Sequence, residues 1–163
     1  METGKHVELV GASAGAVPIQ GTDISASVHL DKAVRLKASQ GIVSDAYSPD
    51  RIFLNLENVR GAVDATAFNV YVGLADGANP SDHPDLLAGS IALFGVRKAS
   101  LVDEEHGGQG LTFVLDITDI AKKLHLSNAF DVDALHLRFV PVTPVAAAAN
   151  VSIGRVSVFR QGH

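Results

Sequence analysis

The 163-residue sequence contains no cysteine, which excludes a disulfide framework and any metal site built on thiolates. It also lacks long apolar runs, and none approaches the roughly 20 residues that a membrane-spanning helix requires. The opening stretch, METGKHVELVG, has no apolar segment typical of a secretion signal. We therefore expect a soluble chain, while the absence of cysteine leaves its compartment undetermined.

Clustered positive charge is missing as well. The formal net charge is −5 and the cations are scattered along the chain, so there is no electrostatic footprint for nucleic acid or anionic lipid. We expect neither a nucleic acid nor a membrane as a partner. What the chain does have is 47% apolar residues, enough for one sizeable core in a single domain spanning residues 1–163.

Metal-binding motifs are absent from the spacing of the seven histidines. None forms a His-x-x-x-His or Glu-x-x-His pair, and His29 and His136 are predicted to lie on outward positions of strands. Surface histidines therefore explain the pattern. The best remaining candidate for a metal is the stretch DEEH, where Glu104, Glu105 and His106 would bind a divalent ion weakly.

Signatures of catalysis are missing too. There is no Gly-x-Ser-x-Gly elbow, and Ser90 and Ser100 have no partner in the sequence that marks them as activated. GASAG and HGGQG match neither a phosphate loop nor a dinucleotide fingerprint. Asp116 and Asp119 flank a predicted helix start, where acidic residues favour the positive end of the helix dipole. The residues alone predict a β domain that is not an enzyme and needs no cofactor.

The dominant period of the sequence is two, which is typical of half-buried strands. The inward sets are Ile24, Ala26, Val28 and Leu30 in DISASVHL; Ile52, Leu54 and Leu56 in RIFLNLENV; Phe68, Val70, Val72 and Leu74 in GAVDATAFNVYVGL; and Leu111, Phe113 and Leu115 in LTFVLDI. The second and third of these runs are predicted to be neighbouring antiparallel strands.

Two local features complete the prediction of the fold. Thr118 is predicted to cap a short helix, DIAKKLHL, whose Ile120, Ala121 and Leu124 share one stripe. In the last run, NVSIGRVSVF, the apolar parity changes at Gly154-Arg155, which indicates a bulge. Seven or eight short strands separated by turns predict an all-β fold, an antiparallel β-sandwich or jelly-roll-like barrel with one short helix.

The stretch DLLAGSIALFGVRKASL places a large aromatic, Phe94, where a strand gives way to Gly95 and two cations. Ile91 and Leu93 share a parity and are expected to point to the core, so Phe94 falls on the opposite side. Three interpretations are open: a core residue, a plug for a partner's pocket, or another interface residue.

The order of several strands resembles the C-terminal domain of tyrosinases and plant polyphenol oxidases. The matching pieces are Phe68 to Tyr71, Leu87 to Ser90, Leu115 to Leu124, and Val151 to Val156. The resemblance covers about residues 49–160 as the β core; residues 1–48 match less well and are expected to be additional strands or a linker. The plant Lys-Phe-Asp-Val strand lacks its Lys and Asp here, so no role of those charges carries over.

What this resemblance implies is regulation. In the family, such a domain lies over the copper entrance of a catalytic domain and inserts a bulky placeholder residue, which falls near Phe94 here, with Leu93, Val96 and Arg97 as interface neighbours. The copper-binding histidine motifs are missing from this chain. The two copper ions would therefore belong to a catalytic domain, the implied partner in cis or in trans, whose folding or copper loading this domain would also assist.

A different class of function is the alternative. The chain would then be a stand-alone β-sandwich module for binding or self-assembly, forming a homo-oligomer through exposed sheet edges. A third hypothesis is an ion-dependent binder of carbohydrate or phenol that uses the DEEH stretch.

Overall fold

The computed structural model describes residues 6–31, 51–61, 67–74, 77–93, 110–126 and 134–162, and within these ranges it has nine strands and one α-helix. The strands are β1 (His6–Ala12), β2 (Val17–Ile19), β3 (Ile24–Leu30), β4 (Arg51–Arg60), β5 (Ala67–Val72), β6 (Leu87–Ala92), β7 (Leu111–Asp116), β8 (Ala134–Pro141) and β9 (Val151–Gly162). The helix is α1 (Thr118–Leu126), and single 3₁₀ turns occupy Pro80–Asp82, Pro84–Leu86 and Ala147–Ala149. The predicted all-β class with one short helix is confirmed.

The strands form one antiparallel sheet in the order β6-β5-β8-β3-β1-β9-β4-β7, and β2 adds to β9 beside β1. The sheet curls into a nearly closed barrel in which β6 and β7 are the two end strands. They approach closely, because a Cβ built on Gly89 of β6 would lie only 3.0 Å from Leu115 Cδ2 of β7. Side-chain packing therefore closes the barrel at this seam.

The strands before residue 31 belong to the same sheet, since β1 pairs with β9 and β3 pairs with β8. The prediction that β4 and β5 are neighbours is wrong. β4 lies between β9 and β7, whereas β5 lies between β6 and β8. Alternation in a sequence determines which face of a strand is buried, but it does not select the partner strand. Here β4 pairs along most of its length with β9, the longest strand.

The core fills the inside of the barrel with the residues that the period-two pattern predicted. Ile52, Leu54 and Leu56 are fully buried, and so are Phe68, Val70 and Val72. Phe68 meets Phe139 of β8 edge to face, with ring centroids 5.8 Å apart and an interplanar angle of 81°. Such aromatic pairs add to the stabilisation that area burial alone provides.

Helix α1 buries the predicted stripe, because Ile120, Ala121 and Leu124 all lie in the core. Its capping differs from the prediction. Asp116 Oδ1 accepts hydrogen bonds from the Thr118 amide at 3.0 Å and from the Thr118 hydroxyl at 2.6 Å. The Thr118 hydroxyl in turn accepts from the amide of Ile52 at 3.0 Å. Asp116 is thus the capping side chain, and Thr118 ties the helix start to β4.

The predicted bulge at Gly154-Arg155 is absent from the β4-β9 pairing, which has no register shift there. The buried parity of β9 does change at this point, since Ile153 and Val156 are both buried. The partner strand changes parity at the same level, with Asn58 at a φ of 55°. Because both strands shift together, the register between β4 and β9 continues unbroken across the irregularity. A Cβ on Gly154 would lie 2.8 Å from Asn58 Cβ, so glycine is what lets the two strands approach. We call this place the β4-β9 kink.

Within the described ranges, no helix is both long and apolar enough to span a membrane.

Candidate interaction surface

The predicted interface residues Leu93, Phe94, Val96 and Arg97 begin with a residue that is buried in the core. Leu93, which directly follows β6, is 2% exposed and packs in the hydrophobic core, as its parity with Ile91 predicted. Phe94, Val96 and Arg97 lie outside the described residues. The same holds for Glu104, Glu105 and His106, the weak metal candidates. Their roles stay predictions, and Leu93 is the one member of the set whose contacts are known.

The chain is equally constrained where it enters β7. Gly110 has a φ of 80°, a region that favours glycine, and a Cβ there would clash with the carbonyl oxygen of Val59. The region between Leu93 and Gly110 thus connects the two end strands of the barrel, and both of its attachment points are tightly packed.

No group of three or more histidine, aspartate or glutamate side chains that could hold a metal ion occurs among the described residues. His29 and His136 are exposed on the outer face, as predicted. The hydroxyl of Ser27 lies 3.4 Å from His136 Nδ1.

The candidate catalytic groups have structural partners instead. Ser90 donates a hydrogen bond to Asn69 Oδ1 at 2.5 Å, across the β5-β6 pair. Asp116 caps α1, and its Oδ2 accepts a 2.8 Å hydrogen bond from Arg51 Nη1 within an ion pair. Partial burial works to raise the pKa of Asp116, but hydrogen bonds from Thr118 and Arg51 outweigh it and hold the pKa below its ordinary value. Asp116 therefore stays ionised as a capping and pairing group.

The outer face of β4 and β9 carries a polar cluster next to the β4-β9 kink. Glu57 accepts hydrogen bonds from Arg155 Nε at 2.9 Å and from the Ser157 hydroxyl at 2.5 Å. Partial burial works to raise the pKa of Glu57, but these hydrogen bonds and the charge of Arg155 outweigh it and lower the pKa. Asn55 Oδ1, beside this cluster, is buried without a hydrogen-bond partner in the part of the chain that the structure describes.

The same outer face carries an apolar band beyond this cluster. Leu9 of β1, Phe159 of β9 and Phe53 of β4 lie side by side in register. Val7 precedes Leu9 on the same side of β1, and Val114 of β7 lies diagonally from Phe53 because it pairs with Asn55. Val7, Leu9 and Val114 are 62%, 43% and 59% exposed, and both phenylalanines are half-buried. We call these five residues the apolar band.

The sequence-based predictions missed the apolar band. The sequence does contain a sign of the band. Val7, Leu9 and Val114 are apolar, yet they occupy the alternate positions of their strands that face away from the core. An apolar residue on the exposed parity is by itself common on protein surfaces. Only strand order reveals that these residues form one patch.

A protein-family model matches residues 6–161, nearly the whole chain. The description of that family is "Domain of unknown function (DUF7868)". The chain belongs to the DUF7868 family. The match includes β1, β2 and β3 as well as the strands on which the sequence resemblance rests.

One curated relative is "Tyrosinase HcTyr1" of Hahella sp. (strain CCB-MM4), which is 25% identical over 156 residues. The match covers 93% of this chain but only 32% of the relative. This member of the DUF7868 family therefore spans about a third of the length of that tyrosinase.

Two solved structures share the fold. The latent apple tyrosinase superposes with a TM-score of 0.50 at 21% identity, over 87% of this chain and 27% of that chain. A latent aurone synthase, a polyphenol oxidase from its natural source, gives a TM-score of 0.53 at 12% identity, over 90% and 26%. The matched regions are the C-terminal domains of these latent polyphenol oxidases, as the sequence resemblance predicted.

Proposed function

We propose that this chain is a non-catalytic regulatory domain that caps the dinuclear copper site of a tyrosinase-type catalytic domain and keeps that enzyme latent. The observation that carries the proposal is the fold shared with the C-terminal domains of two enzymes described as latent. The relationship to a tyrosinase three times as long supports a domain that works beside a larger body.

Phe94 is the proposed plug. Leu93 is held in the core by near-complete burial, so the backbone is anchored one residue before the ring. A phenyl ring suits a pocket that accepts phenols, because it buries a large apolar area at the cost of few rotors. Val96 and Arg97 are the proposed flanking contacts. Leu93 acts as the anchor rather than as a contact.

The copper ions belong to the partner in this proposal. The relatives are tyrosinases, and the described residues of this chain include no group of three that could hold a metal. Covering the copper entrance would also shelter a partly assembled site, so assistance with folding or copper loading is part of the proposal.

The test is inhibition in trans of a tyrosinase catalytic domain that lacks its own matching region. Adding this chain should suppress catechol oxidation, and Phe94→Ala should raise the half-inhibitory concentration by about 30-fold, the effect of losing a central hot-spot residue. Leu93→Ala is the paired variant, expected to lower thermal stability, whereas Phe94→Ala should leave the melting temperature unchanged.

A fused version supplies the control for weak docking. Joining the two domains by a flexible linker raises the effective concentration to the millimolar range. If the fused wild-type domain leaves catechol oxidation at full rate, the capping function is wrong.

The alternative of self-assembly has one observation in its favour: within the described residues, β6 and β7 each pair with a strand on one side alone, and side-chain packing rather than strand pairing joins them at the seam. Open strand edges are templates for pairing with another chain. Sedimentation velocity over a hundredfold concentration range distinguishes the two functions. A stable oligomer that disappears when prolines are placed in β7 would favour assembly, and a monomer would favour capping.

A further inference from the structure

We infer that the apolar band is the surface on which the tyrosinase-type catalytic domain docks. This inference rests on the proposed function and identifies the face of the barrel that performs it. The band lies outside the barrel, whose core is already filled by the inward residues of the same strands. The fold therefore does not require these side chains to be apolar.

The residues of the band differ from the other exposed apolar residues because they are neighbours in the sheet, either directly or on a diagonal. Its members occupy four adjacent strands, in the order β1-β9-β4-β7. The other large exposed hydrophobic residues of the described chain are Leu87 and Val142, which stand singly at the start of β6 and just after β8. Single exposed apolar residues are ordinary, whereas contiguous patches mark interaction sites.

Charges on either side of the band are neutralised within the domain. Arg51 and Asp116 form a 2.8 Å ion pair at one rim, and Arg155 pairs with Glu57 at 2.9 Å at the other. The band thus presents apolar atoms between two internally paired rims. Its complement on a partner is an apolar surface and not a charged one, because an unpaired charge buried there would cost free energy.

The size of the band favours a tethered partner over a second copy. A stable interface between free proteins uses about 20–30 residues on each side, many more than the five of the band. A partner in the same polypeptide needs far fewer contacts, because a linker raises its effective concentration to the millimolar range. This chain spans 32% of its tyrosinase relative and 27% of the apple enzyme, so those proteins join such a domain to a much larger remainder.

A matched pair of valines provides the test. Val114→Lys changes a band residue, and Val142→Lys makes the same change at a residue outside the band with similar exposure, 59% against 66%. In the trans-inhibition assay, Val114→Lys should raise the half-inhibitory concentration by about tenfold through loss of apolar burial and burial of a charge. Val142→Lys should change it by less than about twofold, and Leu9→Lys should behave like Val114→Lys.

Hydrogen exchange gives a readout independent of activity. Docking should slow amide exchange in β1 and β7 when the catalytic domain is added. Equal inhibition by both lysine variants and the wild type would overturn the docking surface while leaving the capping function intact. Absence of inhibition even by the fused wild type would overturn both. A dimer of the chain alone that Val114→Lys dissociates would overturn the inference in favour of a second copy.

Discussion

The inner and outer faces of the β4-β9 pair differ in the residue types that they carry. Facing inward, Leu54, Leu56, Val156 and Val158 are all aliphatic and fully buried. Facing outward, the same two strands carry an ion-paired cluster at one end and two half-buried phenylalanines at the other. These four inner positions are uniform because one core must be filled without gaps. The outer face has a polar part and an apolar part, and this division is not needed to close the barrel.

A truncation on the inner face should destabilise the domain most. Leu54→Ala removes a fully buried side chain that close-packed neighbours cannot replace, and it should lower the free energy of unfolding by about 2–5 kcal/mol. Leu9→Ala makes the same change on the outer face, where the residue is 43% exposed in the isolated domain. It should cost less than about 1 kcal/mol. Urea denaturation measures both; equal losses would mean that the outer band is part of the folding core.

This contrast explains how much of the fold the sequence could predict. Burial of Leu54, Phe68 and the α1 stripe follows from apolar periodicity, because apolar side chains that recur at the period of a strand or a helix lie on one face, and that face packs in the core. Strand order does not follow from it. The separation of β4 from β5 depends on which long strand offers the better partner, and periodicity in a single strand contains no such information.

The candidate site was predictable only in part, for a related reason. Leu93 could be placed in the core from its parity with Ile91, and Phe94 could be singled out by its position beside glycine and cations. The apolar band required knowledge of the register, since Leu9 and Phe53 are 44 positions apart in the sequence and meet through Phe159. Non-local pairing creates this surface.

At the β4-β9 kink, the alternation of buried residues changes phase in both strands. Gly154→Ala places a Cβ 2.8 Å from Asn58 Cβ and should cost about 1–3 kcal/mol through overpacking. Asn58→Gly removes the opposing Cβ and relieves a φ of 55°, so it should be near neutral alone. The double variant should lose about 1 kcal/mol less free energy of unfolding than the sum of the losses in the two single variants. Strict additivity in a double-mutant cycle would contradict the proposed contact.

On the outer face, the stability that Glu57 contributes depends on pH. The pKa of Glu57 is lowered from an ordinary value of 4.5, because hydrogen bonds from Ser157 and Arg155 outweigh its partial burial. A lowered pKa in the folded state means that Glu57 contributes stability above pH 4.5, and that this contribution is lost as pH falls through the folded-state pKa.

Glu57→Gln isolates this contribution. Near neutral pH it should cost less than about 1 kcal/mol, because Arg155 is substantially exposed and the pair is screened by solvent. Below pH 4.5 the melting temperature of the variant should fall less steeply than that of the wild type, and the two curves should converge. Ser157→Ala should give an intermediate slope, because it keeps the carboxylate but removes a buried donor that stabilises the charged form. Parallel curves in acid would instead assign the acid sensitivity to Asp116, whose pKa is lowered in the same sense at the opposite rim of the apolar band.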